Sequence, residues 1–599
     1  MTERSSERLS QRLLLVAAVL ALWTVAVSRT GGFVLEFGIV HFSARGIRNP
    51  LIGIALCVIA AWVMGPPGKR WRSLAENWAR LGQAFDAAVL SRDSHLVRRL
   101  ADGLAVAISV AVIVIGVRMG ALVAGGSDSY GYVSQARLWA TGTLRIQPPI
   151  DGDLPANLEY HAFTPLGYRL ATDGRSSVPT YAPGFPMLMA VFERLGGPDA
   201  AFYVMPILAG VTVGATYLLG IVVAGRTVGL LAALLMAMSP PFLFQLTHAP
   251  MSDIVAAGWW TLALVLLPRP SLASTLLMGL CAAAAILTRP NLVALAIVPA
   301  VALLWDVVAK RGAVRHASRR LVLYTIGPAL AGVFIAWLNS YWYGSATTSG
   351  YGVLGGELFQ WAFVPQNLIN YSRSLVTTQT PAIIAAVAGP WLVWRYRSAA
   401  GATAVSQPVL VAYALFVVVI YLCYAAYLPM EAWWGLRFFL PAFPVVMVFM
   451  SAALVRGSAL LPVPRVVWPL IIVTLMLSET HRFIRDTYVL DSQGEWRFAN
   501  IGRYIADTLP ARAVLFSVLH SGSASYYSGR MTVRFDAVPP GQFKAVAGEF
   551  QRRGYAAYIL LDEFERHEFT EKFGEAADWG ELDTRAAKLV PYVKLYQVY

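Results

Sequence analysis

Long apolar stretches separated by short polar segments dominate the pattern of hydrophobic and polar positions along the chain. Most approach the length of about 20 residues that an α-helix needs to cross a hydrocarbon core about 30 Å thick. The first follows a basic N-terminus and lacks a small-residue cleavage site, so we expect an uncleaved helix rather than a signal peptide. The pattern predicts thirteen spans, at about 13–30, 50–65, 103–123, 200–224, 228–246, 253–268, 273–288, 291–308, 321–343, 380–396, 408–428, 437–455 and 466–478.

Lys and Arg in the connecting segments predict how these spans are oriented, because basic loops stay in the cytoplasm. The segments 66–102 and 309–320 are rich in basic residues, and a thirteen-span count places both on the same side of the membrane. The segment 124–199 holds seven acids against five bases and falls on the opposite side. We therefore expect a cytoplasmic N-terminus and an extracytoplasmic C-terminus.

Two regions lie outside the apolar stretches and are too long to be mere connections. One is the segment 124–199, which we call the large loop. The other is the tail 479–599, in which helical and strand patterns alternate, as in a small α/β domain. The expected elements of the tail are strands at 513–518, 557–561 and 594–599 and helices at 501–508 and 543–553.

The sequence therefore predicts a polytopic α-helical membrane protein in three parts. Residues 1–102 hold two spans and a basic cytoplasmic loop. Residues 103–478 form the membrane core, which carries the large loop on its outer side. Residues 479–599 form the extracytoplasmic α/β domain.

Composition supports this class and excludes others. The chain is 57% hydrophobic and 14% charged, with a mean hydropathy of +0.57, whereas soluble domains carry about 25% charged residues. The net charge of +14 is explained by the basic loops, so we expect no nucleic-acid partner. Cys57, Cys281 and Cys423 all lie inside apolar stretches, without the spacing of a disulfide framework or a Cys-based metal site.

Asp128 opens a helix-like stretch at the beginning of the large loop, directly after the third span. The stretch continues to Leu144 with one apolar side, so we expect it to lie along the membrane interface. One interpretation makes Ser127 or Asp128 an N-cap of this helix. The other makes Asp128 a reactive carboxylate at the bilayer surface.

A second acid, Asp253, opens the sixth span on the same side of the membrane. Asp253 could also be only a helix cap. The nearby His248 is either a ligand of a bound group or a hydrogen-bonded side chain at the membrane interface. Two carboxylates that converge at one membrane face are typical of acid/base chemistry or cation binding. We therefore take Asp128 and Asp253 as candidate catalytic residues.

Three arginines fall on this side as well, against the usual distribution of charge. Arg289 ends the seventh span, Arg373 lies in the segment 344–379, and Arg437 begins the twelfth span. Each fits either a side chain that reaches from a span end to the headgroups or the partner of an anionic group near the outer leaflet.

Several short motifs follow one another in an order that resembles the GT-C superfamily of glycosyltransferases, which includes the protein O-mannosyltransferases and the lipid A aminoarabinose transferases. The resemblance covers most of the chain after about residue 100, and the two spans before it are an addition to the commonest pattern. The stretches that carry it are Ser127-Asp128-Ser129-Tyr130, Trp139-Ala140-Thr141-Gly142, Tyr181-Ala182-Pro183-Gly184-Phe185-Pro186, Ser239-Pro240, Ser252-Asp253, Thr288-Arg289-Pro290-Asn291, Arg437-Phe438-Phe439-Leu440-Pro441 and Ser525-Tyr526-Tyr527-Ser528-Gly529-Arg530.

The resemblance implies an inverting transfer of a sugar from a polyprenyl-phosphate carrier to an acceptor hydroxyl, at the outer face of a bacterial inner membrane. It implies that Asp128 is the general base and that Arg437, with Arg289 or Arg373, binds the donor phosphate. It also implies that Tyr130, Tyr181 and His248 contact substrate. No cofactor is required, and a divalent metal at Asp253 stays open, as does the acceptor (a protein, a lipid or a glycan).

Two other classes of function compete with this one. A lipid or glycolipid transporter would also be polytopic and carry arginines near lipid phosphates, but it predicts polar residues deep in the spans. A non-catalytic assembly protein built around the tail leaves Asp128 and the large loop without a role. A cavity shared by Asp128 and Arg437 distinguishes the transferase from both.

Overall fold

A computed structural model describes residues 3–30, 33–37, 40–44, 48–65, 68–74, 76–78, 80, 95–150, 153–155, 158–309, 314–353, 358–396, 405–457, 467–487 and 489–599 of the chain. The two basic segments used for orientation fall partly outside these ranges, at 66–67, 75, 79, 81–94 and 310–313. Helices make up most of the described residues, as the hydropathy pattern predicts.

Residues 70–74, 76–78 and 80 are helical, and seventeen further α-helices precede the C-terminal domain among the described residues. They are α1 (Glu3–Thr30), α2 (Arg48–Val63), α3 (His95–Met119), α4 (Asp128–Thr141), α5 (Gly184–Gly196), α6 (Val204–Ala224), α7 (Arg226–Ala237), α8 (Pro240–Thr247), α9 (Ser252–Leu266), α10 (Leu272–Thr288), α11 (Ile297–Val308), α12 (Val314–Tyr343), α13 (Val364–Gln379), α14 (Ala385–Arg395), α15 (Gln407–Ala425), α16 (Phe443–Gly457) and α17 (Val467–Thr487).

Each of the thirteen predicted stretches contains helix, but the count of thirteen spans is not confirmed. In the described ranges, six helices are long and apolar enough to cross a membrane, or up to nine if each of three bent pairs is one span. Three further apolar helices, α2, α9 and α10, are shorter.

Proline causes two of the bends that make the spans difficult to count. The axis turns by 55° after Ser239-Pro240 and by 117° after Thr380-Pro381. Proline lacks the N–H that would continue the hydrogen-bond ladder, and it disfavours helical geometry in the residue before it. Ser239 is accordingly extended, with a ψ of 119°.

Small residues let the membrane helices α10 and α12 approach closely. Gly279 of α10 and Gly327 of α12 are in such close contact that a Cβ on Gly327 would overlap the Gly279 carbonyl. Helix pairs in lipid often associate through residues of this size. The pairing places the end of α10, with Arg289, beside α12.

Short strands pair locally in the first part of the chain. They are β1 (Phe33–Phe37) with β2 (Val40–Ala44), β3 (Tyr168–Leu170) with β4 (Ser177–Pro179), and β5 (Thr348–Ser349) with β6 (Gly352–Val353), all antiparallel. The β3–β4 hairpin lies in the large loop between α4 and α5.

The C-terminal domain, residues 489–599, is α/β as predicted. Its sheet has the order β10-β11-β9-β7-β8, with β7 parallel to β8 and β9, and β11 antiparallel to β9 and β10. The preceding helix α17 continues across the predicted boundary at residue 479. The strands are β7 (Ala513–Phe516), β8 (Met531–Val533), β9 (Ala556–Asp562), β10 (Gly580–Leu582) and β11 (Val593–Val598); the helices are α18 (Gln493–Thr508), α19 (Ser521–Ser528), α20 (Phe543–Arg552), α21 (Arg566–Phe573) and α22 (Thr584–Leu589).

The large loop packs directly on this domain. Phe163 joins the buried core of the sheet, with its ring 6.4 Å from that of Phe550. The backbone N–H of Arg534 donates to the Ala162 carbonyl at 2.7 Å, and Ser521 Oγ accepts from the N–H of Leu166 at 3.1 Å. The large loop and the C-terminal domain therefore share one buried core.

Candidate active site

A cavity of about 600 Å³ lies where the starts of α4 and α9 meet the ends of α10 and α12. Residues from 180–183, 290–293, 346–351 and 358–359, with Tyr427 and the segment that leads into α16, form the rest of its wall. Its charged lining residues are Asp128, Asp253, Arg289 and Arg437. Two acids and two arginines from four separate segments therefore meet in one place.

Asp128 is the first residue of α4, and both of its carboxylate oxygens have tertiary partners. Oδ1 accepts a hydrogen bond of 2.6 Å from the Tyr181 hydroxyl, and Oδ2 lies 3.5 Å from Nη1 of Arg437. The Ser127 side chain makes no capping hydrogen bond, so a cap by that residue was the wrong interpretation. The contacts of Asp128 belong to the cavity rather than to the end of the helix.

Tyr181 holds Asp128 because the chain brings its ring against α4. A Cβ on Gly131 would overlap this ring, so glycine is needed for the approach. The Tyr181 ring packs 4.7 Å from that of Tyr132, and its hydroxyl also contacts Ser127 Oγ at 2.7 Å. Burial, together with the nearby Asp128 carboxylate, raises the pKa of Tyr181 well above its ordinary value. The phenol therefore stays protonated and donates to Asp128.

Arg437 enters the cavity from the 3-10 helix Trp433–Phe439. Its Nη1 contacts Met251 Sδ at 2.8 Å in addition to Asp128, and its guanidinium carbon lies 4.9 Å from the centre of the Phe438 ring. Its Nε is buried without a hydrogen-bond partner among the described residues. A buried donor without a partner is costly, so this nitrogen is suited to an acceptor brought by a ligand.

Asp253 and Arg289 form a second ion pair that is more deeply buried than the first. Their side chains are 5% and 12% exposed, against 34% for Asp128 and 20% for Arg437. The guanidinium carbon of Arg289 lies 5.2 Å from the centre of the Phe438 ring, so both arginines contact this one aromatic side chain.

The structure brings five of the eight predicted site residues to the cavity and places the other three elsewhere. Tyr130 is buried against Gly522, with its ring 5.9 Å from that of Tyr168, so it packs the large loop on the C-terminal domain. His248 stacks on Phe244 at 3.7 Å, and Arg373 is exposed on α13. None of these three lines the cavity.

Two further cavity residues, Tyr132 and Tyr351, were not predicted as site residues. Tyr132 shares a hydrogen bond of 3.0 Å with Ser252, which connects α4 to the start of α9. Tyr351 reaches the cavity because Gly350 packs against the backbone of Thr180. The position of Tyr132 on the inner side of α4 follows from helical spacing, whereas the loop around Tyr351 carries no recognisable motif.

The acids of the cavity do not form a metal cage. Across the described ranges, no three His, Cys, Asp or Glu side chains come together as metal ligands. Both cavity carboxylates instead contact arginines. The arrangement fits acid/base chemistry combined with the binding of an anion.

No protein-family model and no curated protein matches the sequence. Among solved structures, the oligosaccharyltransferase of Archaeoglobus fulgidus tethered to an acceptor peptide is similar, with a TM-score of 0.52 and 14% identity, over 80% of this chain and 72% of that one. ArnT of Cupriavidus metallidurans bound to undecaprenyl phosphate has a TM-score of 0.45 and 14% identity, over 78% of this chain and 94% of that one. The arabinosyltransferase EmbB of Mycobacterium smegmatis has a TM-score of 0.32 and 14% identity, over 70% of this chain and 35% of that one.

The first similarity shows the fold. The chain shares its fold with this oligosaccharyltransferase. It is a multi-pass membrane protein with a large loop after α3 and a C-terminal α/β domain.

Proposed function

We propose that the protein is an inverting glycosyltransferase that moves a sugar from a polyprenyl-phosphate carrier to an acceptor hydroxyl. The observation that carries the proposal is the contact between Asp128 and Arg437 in the cavity. A carboxylate suited to accept a proton and a cation suited to hold a phosphate come from distant segments and meet on one wall.

The surroundings of the cavity support a donor with a lipid tail. Val293, Ile335 and Leu338 line it together with the charged groups, and Val293 is half exposed on the surface of the membrane helices. A donor whose tail dissolves in the bilayer would present its phosphate and sugar at this level. A soluble nucleotide-sugar would not need so apolar an approach.

In the proposed reaction, Asp128 accepts the proton of the acceptor hydroxyl, and the hydroxyl oxygen forms a bond to the anomeric carbon. The bond between that carbon and the phosphate oxygen breaks, and its electron pair leaves with the phosphate. Arg437 stabilises the negative charge of the leaving group.

The location we propose is a bacterial inner membrane, with the cavity and the C-terminal domain on the extracytoplasmic side. The cavity opens beside the large loop, which packs on that domain. The basic segments at the opposite helix ends agree with this orientation.

A reporter that is active only outside the cytoplasm tests the orientation. Fused after Tyr599 it is expected to be active, and fused within 309–320 it is expected to be silent. The reverse pattern would place Asp128 in the cytoplasm and remove the proposed donor from its reach.

Arg437→Lys tests the donor-phosphate site. A lysine cannot reproduce two parallel hydrogen bonds to a phosphate, and losing one charge-assisted hydrogen bond is expected to lower kcat/KM for the lipid-phosphate sugar by about 10- to 100-fold. Transfer of radiolabelled sugar from the polyprenyl-phosphate donor, in membranes normalised for protein content, measures the effect.

Arg373→Lys is the matched control, because Arg373 is exposed and does not line the cavity. It is expected to transfer sugar at the wild-type rate. Equal kinetics for the Lys variant of Arg437 and the wild-type protein would remove Arg437 from the donor site.

A further inference from the structure

The two carboxylate oxygens of Asp128 are held by different kinds of partner. Oδ1 accepts the hydrogen bond of Tyr181 at 2.6 Å, whereas Oδ2 faces Nη1 of Arg437 at 3.5 Å. The first contact is a short, partly buried hydrogen bond. The second is a longer ion pair that opens to the cavity, and only this second contact involves the proposed phosphate ligand.

We propose that the donor phosphate takes Arg437 away from Asp128, so that binding of the donor releases Oδ2 to act as the base. The inference rests on the proposed function and adds an order of events, in which donor binding precedes proton transfer. Without donor, the cation occupies the oxygen that must accept a proton. With donor bound, the guanidinium turns to the phosphate, and Tyr181 keeps the carboxylate in place through Oδ1.

The partners of Arg437 are suited to this exchange. Its Nε is buried without a partner in the described structure, and its Nη1 is shared between Asp128 and Met251 Sδ. A phosphate bound through two parallel hydrogen bonds satisfies Nε and replaces the contact to a thioether, which is a weak acceptor. Arg437 therefore gains contacts when it moves to the phosphate.

Arg289 is not suited to the same exchange. Its counter-ion Asp253 is only 5% exposed, and removing the cation would leave that carboxylate buried without its charge partner. A buried charge that loses its partner is strongly destabilising. Asp128 is 34% exposed and retains Tyr181, so it tolerates the loss of Arg437.

The exchange couples donor binding to proton transfer. Once Oδ2 is free, it accepts the acceptor proton while the acceptor oxygen bonds to the anomeric carbon. The sugar–phosphate bond then breaks, with its electron pair on the phosphate that Arg437 holds. The donor therefore binds before the acceptor can react, and the coupling is reciprocal: the Asp128 charge must weaken the binding of phosphate at Arg437.

Binding of undecaprenyl phosphate to the purified full-length protein tests this coupling. Asp128→Asn removes the competitor for Arg437 and is expected to bind this lipid about two- to fivefold more tightly than the wild-type protein, the upper part of the range for an exposed ion pair. Arg437→Gln is expected to bind it more weakly. Asp173→Asn is the matched control, since Asp173 pairs with Arg145 outside the cavity, and its affinity is expected to match the wild type.

A double variant distinguishes the exchange of Arg437 from simple repulsion between the Asp128 carboxylate and the phosphate. If Asp128 acts through Arg437, adding Asp128→Asn to Arg437→Gln changes the affinity no further. If Asp128 only repels the phosphate, the double variant binds more tightly than Arg437→Gln by the same factor as in the wild-type background, and the exchange is overturned. Thermal melting of each variant confirms that the compared proteins are folded.

The outcomes also separate the exchange from the proposed function. Equal affinity for the wild-type protein and Asp128→Asn, with weaker binding by Arg437→Gln, overturns the exchange and leaves the donor site in place. If Arg437→Gln binds undecaprenyl phosphate as tightly as the wild-type protein does, Arg437 is not part of the donor site, and the exchange is overturned as well.

Discussion

Asp128→Asn is expected to lower sugar transfer by about two to four orders of magnitude, with nearly unchanged expression and thermal stability. Asn keeps an oxygen that accepts the hydrogen bond of Tyr181, and it retains the size of the side chain. It cannot accept the proton of an acceptor hydroxyl, which is a poor nucleophile until it is deprotonated. The loss should therefore appear in the chemical step and not in folding.

Transfer from a radiolabelled polyprenyl-phosphate sugar to envelope acceptors measures this loss, with mass spectrometry of envelope glycans from a deletion strain identifying the product. Asp173→Asn, in the same loop but outside the cavity, is expected to retain full transfer. Near-normal transfer by Asp128→Asn would end the assignment of Asp128 as the base. The same substitution is expected to tighten the binding of undecaprenyl phosphate, so activity and affinity should change in opposite directions.

The hydrophobic pattern located the membrane helices well but not the number of spans. A window of hydropathy records an apolar stretch, and it does not record that the chain bends by 117° at Thr380-Pro381. Proline marks where a helix is interrupted. Whether the two halves continue across the membrane or turn back depends on packing with other helices, which a local pattern does not contain.

The strands β8 and β10 and the helices α19, α21 and α22 of the C-terminal domain were not predicted. The buried strands β7 and β9 were predictable, because short runs of apolar residues stand out in a polar tail. Their order in the sheet was not, since β7 pairs with both β8 and β9 through contacts between distant segments. The same limit applies to the large loop. Phe163 belongs to the core of the domain, although more than 300 residues separate it from β7, the first strand of that domain.

The charged residues of the site were easier to predict than its aromatic residues. An acid or an arginine at the end of an apolar span is conspicuous, so Asp128, Asp253, Arg289 and Arg437 could be chosen from the sequence. Tyrosine is common at membrane interfaces, and position alone does not say which tyrosines face a cavity. Tyr181 does so and Tyr130 does not, because the C-terminal domain covers Tyr130.

Asp253→Asn is expected to destabilise the folded protein by about 3–5 kcal/mol, the cost of removing one of the two charges of a buried ion pair. The Asp253 side chain is 5% exposed, and the Arg289 guanidinium that it neutralises is also packed near Phe438 and Tyr424. We propose that this pair positions the cavity wall and that the reacting proton goes to Asp128. The rate of thermal inactivation and the melting temperature in detergent measure the loss.

Removing both charges distinguishes a structural pair from a second catalytic acid. The double variant Asp253→Asn, Arg289→Gln leaves no buried charge unpaired, so it is expected to recover most of the lost stability, because the two effects are not additive for residues in contact. Asp128→Asn serves as the control, since it removes a carboxylate from the same cavity with little change in melting. If Asp253 were a catalytic group, Asp253→Asn would melt like the wild-type protein and lose transfer, and the positioning role would be wrong.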